Sequence, residues 1–273
     1  MANNKYGLSR NIPEPIKKII RQRCGFGCVI CGNAIITYEH IEPTFAEAHS
    51  HDPEAMTLLC GDHQIQSSKG LLSKKSIWLA NADPKCNQTG YANHMFDIGS
   101  VQPVVFLGGN DFVAPKIQFD GKTFLEILPP EEGSKRWRLS AEFLDSAGSV
   151  ICKIKNNELL INTANYDIQQ STTNFVILGP DEILLDIEVM PPHSLLVKKY
   201  THLAKNGKLI LGRETMPDLL NPDVSRECAV LMVEYKNGSI GKFVNCSFVS
   251  HTGVNLNILN DRLEIGFPPE ANC

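Results

Sequence analysis

The chain is poor in aromatic residues, which make up 7% of its 273 positions and include two tryptophans. It has no apolar run long enough to cross a bilayer, so it reads as a soluble globular protein. No repeat of fixed period and no low-complexity tract is found, so regular repeat arrays are not expected, while a closed barrel or an irregular solenoid stays open beside a sandwich for the β-rich part. Residues 1–10, MANNKYGLSR, lack an apolar stretch followed by a small-residue cleavage site, so the expected compartment is cytoplasmic. Charge is nearly balanced, with 26 Lys and Arg against 30 Asp and Glu for a net charge of −4. With 42% hydrophobic and 21% charged residues, the composition is not that of a disordered chain, and the length suits two modest domains. Cysteine is the exception to this sparseness. There are nine, five of them (Cys24, Cys28, Cys31, Cys60, Cys86) within the first hundred residues, and clustered cysteines in a reducing compartment point to metal before disulfides.

Texture changes along the chain. Asn11 can cap a helix that tolerates Pro13 and Pro15 in its first turn and carries an Ile16, Ile19, Ile20 stripe. Lys17, Lys18, Arg21 and Arg23 are then expected on its solvent side, where they could contact DNA phosphates. A second helix should follow Cys60 and stop near Gly70, and a third should start at a Ser73 cap and run through Ile77, Trp78 and Leu79 toward Pro84. From about Val101 the sequence consists of short β-branched or alternating runs. Asp120-Gly121, Asn206-Gly207 and Asn237-Gly238 punctuate them as tight-turn dipeptides. The fold class expected is therefore α+β: a small N-terminal domain over 1–85, a linker over 86–100, and a mainly antiparallel, sandwich-like β domain over 101–273. The β-rich part is the acidic half, which favours protein contacts, a small ligand or a scaffolding role over a second nucleic-acid surface, with a homodimer or another protein as the expected partner.

The chemistry is concentrated between Cys24 and Gly70. Cys28-x2-Cys31 and Cys60-x2-His63 are two pairs of zinc-type ligands about thirty residues apart, which suits a tetrahedral structural Zn²⁺. A tetrad of Cys24, Cys28, Cys31 and Cys60 is the alternative and would leave His63 free. Between the pairs lies Tyr38-Glu39-His40-Ile41-Glu42-Pro43, with Glu39 and His40 ending a short strand. A carboxylate beside an imidazole offers a hard oxygen ligand for a divalent ion and a nitrogen able to take a proton from water, as metal-assisted phosphodiester hydrolysis requires. His49 and His51 follow in a polar loop.

As an ordered group these residues resemble the HNH nucleases of the His-Me-finger, or ββα-metal, class. The family pattern is a Cys-x2-Cys knuckle, an acidic residue plus His ending a strand, a Pro soon after, and a Leu-Cys-x2-Cys/His turn opening a helix with Lys and Gly beyond. Here those positions are Cys28 and Cys31, Glu39-His40, Pro43, Leu59-Cys60-Gly61-Asp62-His63, then Lys69 and Gly70. The likeness covers about residues 11 to 80. It implies an endonuclease acting on DNA, a zinc-braced ββα unit around a catalytic Mg²⁺ or Mn²⁺, His40 as general base and Glu39 as a ligand of the catalytic ion. Two positions depart from the pattern. The family's Asn falls on Ala55, and its last metal-ligating His falls on Gln64. Two readings follow: a divergent enzyme that uses Gln64, or recruits His49 or His51, or a zinc-braced module kept for nucleic-acid or protein binding without catalysis.

Overall fold

The computed structural model describes residues 3–171, 173–204, 206–217, 225–251, 253–259 and 262–267. The protein is α+β with far more strand than helix. Among the described residues no helix is long and apolar enough to cross a membrane. The chain forms two compact units, Met1–His94 with Leu160–Thr172, and Met95–Leu159 with Thr173–Cys273. The first is discontinuous, and the 86–100 segment, with Pro84 just before it and Gly90 within it, is not the expected linker. Those residues instead bound short elements. Pro84 caps a helix, Gly90 ends it in the left-handed region at φ 78°, and Cys86 between them is fully buried.

In the first unit, α1 (Glu14–Arg23) starts after Pro13 rather than Asn11, with Pro15 in its first turn. Ile20 is fully buried and Ile16 partly, against Met56, Leu58, Leu59, Ile41 and Ile77. Ile19 is 46% exposed, so the apolar stripe runs Ile12, Ile16, Ile20 at intervals of four. Strands β1 (Thr37–His40) and β2 (Met56–Leu59) pair antiparallel, with Glu39 opposite Thr57 and His40 opposite Met56. A 3-10 turn over Pro53–Ala55, capped by the Asp52 carboxylate, leads into β2. Helix α2 (Gly61–Ser68) follows directly, and α3 (Lys74–Ala82) is capped by the Ser73 hydroxyl, which accepts from the Ser76 N–H. Then come α4 (Lys85–Thr89) and β3 (Tyr91–Met95).

The basic face expected on α1 is largely engaged within the unit. The Arg21 guanidinium is buried, donating from Nε and Nη2 to both oxygens of Asp167 at 2.9 and 2.7 Å, from Nη2 to Glu14 at 2.7 Å and from Nη1 to the Tyr38 hydroxyl at 2.9 Å. Arg23 donates to the carbonyls of Pro53 and Met56. Lys17 pairs with Glu14 at 3.8 Å, and the Lys18 ammonium lies 3.7 Å from the centroid of the Tyr166 ring. For Arg21 the cause is a carboxylate more than a hundred residues away, which periodicity within α1 cannot reveal.

The second unit is built from β4 (Val104–Leu107), β5 (Asn110–Val113), β6 (Lys116–Phe119), β7 (Lys122–Leu128), β8 (Arg138–Leu144) and β9 (Val150–Lys155). The chain then returns to the first unit through β10 (Glu158–Asn162) and β11 (Asp167–Ser171). The second unit resumes with β12 (Asn174–Leu178), β13 (Ile183–Met190), β14 (Ser194–Ala204), β15 (Gly207–Pro217) and β16 (Ser225–Tyr235). It ends with β17 (Ile240–Phe243), β18 (Ser247–Val249), β19 (Val254–Leu259) and β20 (Arg262–Gly266). Its strands follow two paths, β20-β19-β6-β7-β8-β9 and β12-β13-β14-β15-β16-β17. Pairing is mainly antiparallel, but β4 runs parallel to β14, β18 to β5 and β19 to β6. Strand alternation buries Leu125, Phe143, Ile187, Val197, Tyr200, Leu211 and Val233. Asp120-Gly121 turns β6 into β7 with both residues at positive φ, and Gly238 at φ 81° turns β16 into β17. Asn206-Gly207 is displaced by one residue from its expected place. Gly207 already pairs with Ala204 and Tyr235 in the strand, where a Cβ would sit 2.2 Å from the Glu234 carbonyl oxygen. Asn206 alone of the expected pair is in the turn, and Lys205 lies outside the described residues.

Candidate metal centre and the histidine pair on the adjoining strand

The segment after α1 makes a tight knuckle. Phe26 and Gly32 adopt positive φ, the Gly32 N–H donates to the Cys28 carbonyl at 2.8 Å, and the Cys28 N–H donates to Asn33 at 2.9 Å. A Cβ at Gly27 would lie 2.6 Å from Cys86 Sγ and 2.7 Å from the Gly32 carbonyl oxygen, so only glycine fits there. Opposite the knuckle, Cys60 is the N-cap of α2 and His63 lies in its first turn. Cys28, Cys31, Cys60 and His63 come together with all four ligand atoms within 4.8 Å of one another. Cys31 Sγ and Cys60 Sγ are 3.8 Å apart, while His63 Nδ1 is 3.4 Å from Cys28 Sγ and 3.1 Å from Cys60 Sγ. A tetrahedral ion with bonds of about 2.3 Å to sulfur separates its ligands by about 3.8 Å, so the cluster fits structural zinc.

Cys24 is not part of that cluster. Its thiol lies 3.9 Å from the Thr57 hydroxyl and 3.7 Å from the Asn81 side-chain oxygen, and burial pushes it up. The tetrad is therefore the one that includes His63. A hydrogen bond from Cys31, together with backbone donors of Cys60, Cys31 and Ile30, pulls the Cys28 thiol down, and Cys31 correspondingly holds its proton. Cys86 is buried behind the knuckle, with its thiol pushed up to about 12 by that burial.

Strand alternation separates Glu39 from His40. Glu39 shares its face with Thr37 and turns toward α2. There the Gln64 side-chain NH₂ donates to Glu39 Oε2 at 3.3 Å, and Gln64 Oε1 accepts from the Thr37 hydroxyl at 3.1 Å. Burial pushes the Glu39 carboxyl up, opposed by the Gln64 hydrogen bond and by the positive charges of Lys74 and Arg10. His40 turns to the other side, into the loop that follows β1. Its Nε2 is 3.1 Å from His51 Nδ1, and His51 Nε2 is 2.8 Å from the carbonyl oxygen of Ser9. Both rings are 8% exposed. Phe45 meets His40 edge-on and stacks against His51, with the Arg10 guanidinium 4.5 Å from its own centroid. Burial, and then the His51 ring, hold the His40 imidazole below its ordinary value, so the ring is neutral at neutral pH.

The structure thus brings Glu39 to Gln64 and His40 to His51. His49 is not in this group, since its ring stacks on Tyr6 at 3.9 Å. Ala55 closes the 3-10 turn, and its carbonyl accepts from the Ile41 N–H at 2.8 Å. Among the described residues, no second cluster of three or more His, Cys, Asp or Glu ligands accompanies Glu39. An open depression of about 220 Å³ lined by Asn3, Asn4, Lys5, Arg10, Phe45 and Ala46 adjoins the ring of Phe45. Sequence reading offered His49 and His51 equally as histidines that a divergent site could recruit, and it gave no signal for the Ser9 carbonyl or for Arg10. Compared with known proteins, the chain matches no family model, no curated protein and no solved structure.

Proposed function

We propose that the first unit is a zinc-braced, HNH-like ββα-metal module that hydrolyses DNA phosphodiester bonds. The observation that carries this reading is the order of parts around one hairpin. Glu39 and His40 end β1, β2 runs back beside them, and α2 opens on the Cys60 and His63 pair. In this reading zinc is structural and contributes its binding energy to folding.

Catalysis then falls to the end of β1. Glu39 would hold a Mg²⁺ or Mn²⁺ ion, and such hard ions keep most of their waters and use one or two carboxylates, so a single protein carboxylate fits. When bound, the ion supplies charge neutralisation on the phosphate and on the departing oxygen. His40, neutral and buried, accepts the proton of the attacking water. Arg10 and Lys74, the cations whose field reaches Glu39, receive the phosphate backbone. Of the α1 cations only Lys17 and Lys18 are left for that work, since Arg21 and Arg23 are engaged internally. The test is supercoiled-plasmid nicking by the full chain with Mg²⁺ or Mn²⁺, with His40→Ala as control. The reading expects nicking that His40→Ala abolishes, and a wild-type chain that leaves plasmid intact under both ions contradicts it.

One observation favours the second reading, a zinc-braced binding module without catalysis. Gln64 Oε1 is already engaged by the Thr37 hydroxyl, and Ala55 has no side chain to hold the base. Salt-dependent DNA binding that is weakened by Arg10→Ala and Lys74→Ala, with no nicking, would establish that alternative. The β-rich second unit, acidic in balance, would serve assembly or targeting through a protein partner or a second copy.

A further inference from the structure

We infer that His51 is the positioning residue for His40, fixing its tautomer in place of the side chain that Ala55 lacks, an inference that rests on the nuclease reading for its catalytic consequence. The Ser9 carbonyl oxygen can only accept, so His51 Nε2, 2.8 Å away, carries a proton and donates it. A neutral imidazole protonated at Nε2 has its lone pair on Nδ1. With His51 neutral, its Nδ1 is an acceptor, and the group facing it at 3.1 Å, His40 Nε2, is the donor. Neutral His40 then has its lone pair on Nδ1. One carbonyl thus sets both rings in sequence, so that the nitrogen of His40 left to take a proton from water is Nδ1.

The surroundings hold this chain of hydrogen bonds in place. Both histidines are nearly buried and share Phe45 as a wall. The Ser9 carbonyl is presented by an N-terminal segment that is itself tied to the 44–52 loop. Asn4 Nδ2 donates to the carbonyls of Phe45 and Ala48, each at 2.7 Å, and Tyr6 stacks on His49. No side chain at position 55 could take the same part, because alanine has no polar atom. The division of labour resembles that seen generally for a proton-accepting imidazole: one ring nitrogen works and the other is fixed by a partner that decides the tautomer.

Two measurements on the zinc-loaded full chain test this. The first is two-bond ¹H–¹⁵N correlation NMR of the imidazole nitrogens, assigned with His40 and His51 variants. The expected result is Nε2–H tautomers for both His40 and His51 in wild type, the Nε2–H tautomer of His40 retained in His51→Asn, whose amide oxygen can accept the same proton, and a tautomer mixture in His51→Ala. His40 protonated at Nδ1 in wild type overturns the inference. The second is plasmid nicking. His51→Ala should lose ~10–100-fold in kcat with little change in KM, while His51→Asn recovers most of it at unchanged zinc content and melting temperature. Wild-type kcat in His51→Ala overturns the catalytic role. A wild-type chain that does not nick refutes the nuclease reading alone, and the NMR tautomer then still decides whether His51 fixes His40.

Discussion

Arg21 shows how a residue that reads as a surface cation becomes internal. Its spacing on α1 matches that of Lys17 and Lys18, yet its side chain and that of Asp167 are 6% and 2% exposed. Removing one partner of such a pair leaves an uncompensated buried charge. Asp167→Ala should therefore cost about 3–5 kcal/mol in denaturant unfolding, and the double change Arg21→Met with Asp167→Leu markedly less. A loss under 1 kcal/mol in Asp167→Ala would place this pair among solvated ion pairs instead. The Cys28, Cys31, Cys60 and His63 cluster, which could hold a metal ion, was legible at the residue scale because each pair spans one turn, but the choice between Cys24 and His63 needed the fold. Cys28→Ser and Cys60→Ser should release zinc and melt the first unit early, whereas Cys24→Ala should keep full zinc by elemental analysis. His202, packed among Phe119, Phe124 and Tyr200, is held below its ordinary value by burial. Its unfolded form binds a proton first. The stability it contributes is complete above about pH 6.5 and is lost as pH falls through the lower folded-state value, so His202→Gln should flatten that part of a melting-temperature profile against pH.

At the scale of elements, local chemistry announced what it controls alone. Ser73 capping α3, α2 starting after Cys60, and the Asp120-Gly121 and Asn237-Gly238 turns are set by residues adjacent in sequence. What depends on distant partners was hidden. The α1 stripe follows Ile12, Ile16 and Ile20 because β2 sets which side is inside, and the parallel pairs β4 with β14, β18 with β5 and β19 with β6 leave no trace in alternation. The same contrast separates two glycines. Gly121 at φ 76° has open space where a Cβ would go, so Gly121→Ala should cost about 1–2 kcal/mol from left-handed strain alone. Gly108 at φ 53° would place a Cβ 2.1 Å from the Val230 carbonyl oxygen, so Gly108→Ala must displace backbone as well and should destabilise the second unit by more than Gly121→Ala does. Equal losses in chemical denaturation would argue against that close approach.

At the scale of the whole molecule, the change of texture near residue 100 marks where the long run of strands begins, but the return of 160–172 to the first unit has no such mark. That segment has no motif of its own, and it is tied in by Asp167 meeting the buried Arg21, by Tyr166 meeting Lys18 and Gln22, and by Thr163 donating to the Gly90 carbonyl. The candidate site was legible in the same uneven way. Glu39, His40 and Gln64 came from an ordered likeness, while His51 gained its place only when folding set a loop eleven residues on against the end of β1. The central claim is that a zinc-braced hairpin presents His40 and Glu39 for metal-assisted cleavage of DNA. It is tested most directly on one purified sample, by elemental analysis for zinc together with supercoiled-plasmid nicking in Mg²⁺ and in Mn²⁺, wild type beside His40→Ala. The account predicts zinc near one per chain and nicking that disappears in His40→Ala. Nicking that persists in His40→Ala, or intact plasmid from the zinc-loaded wild type, would contradict it.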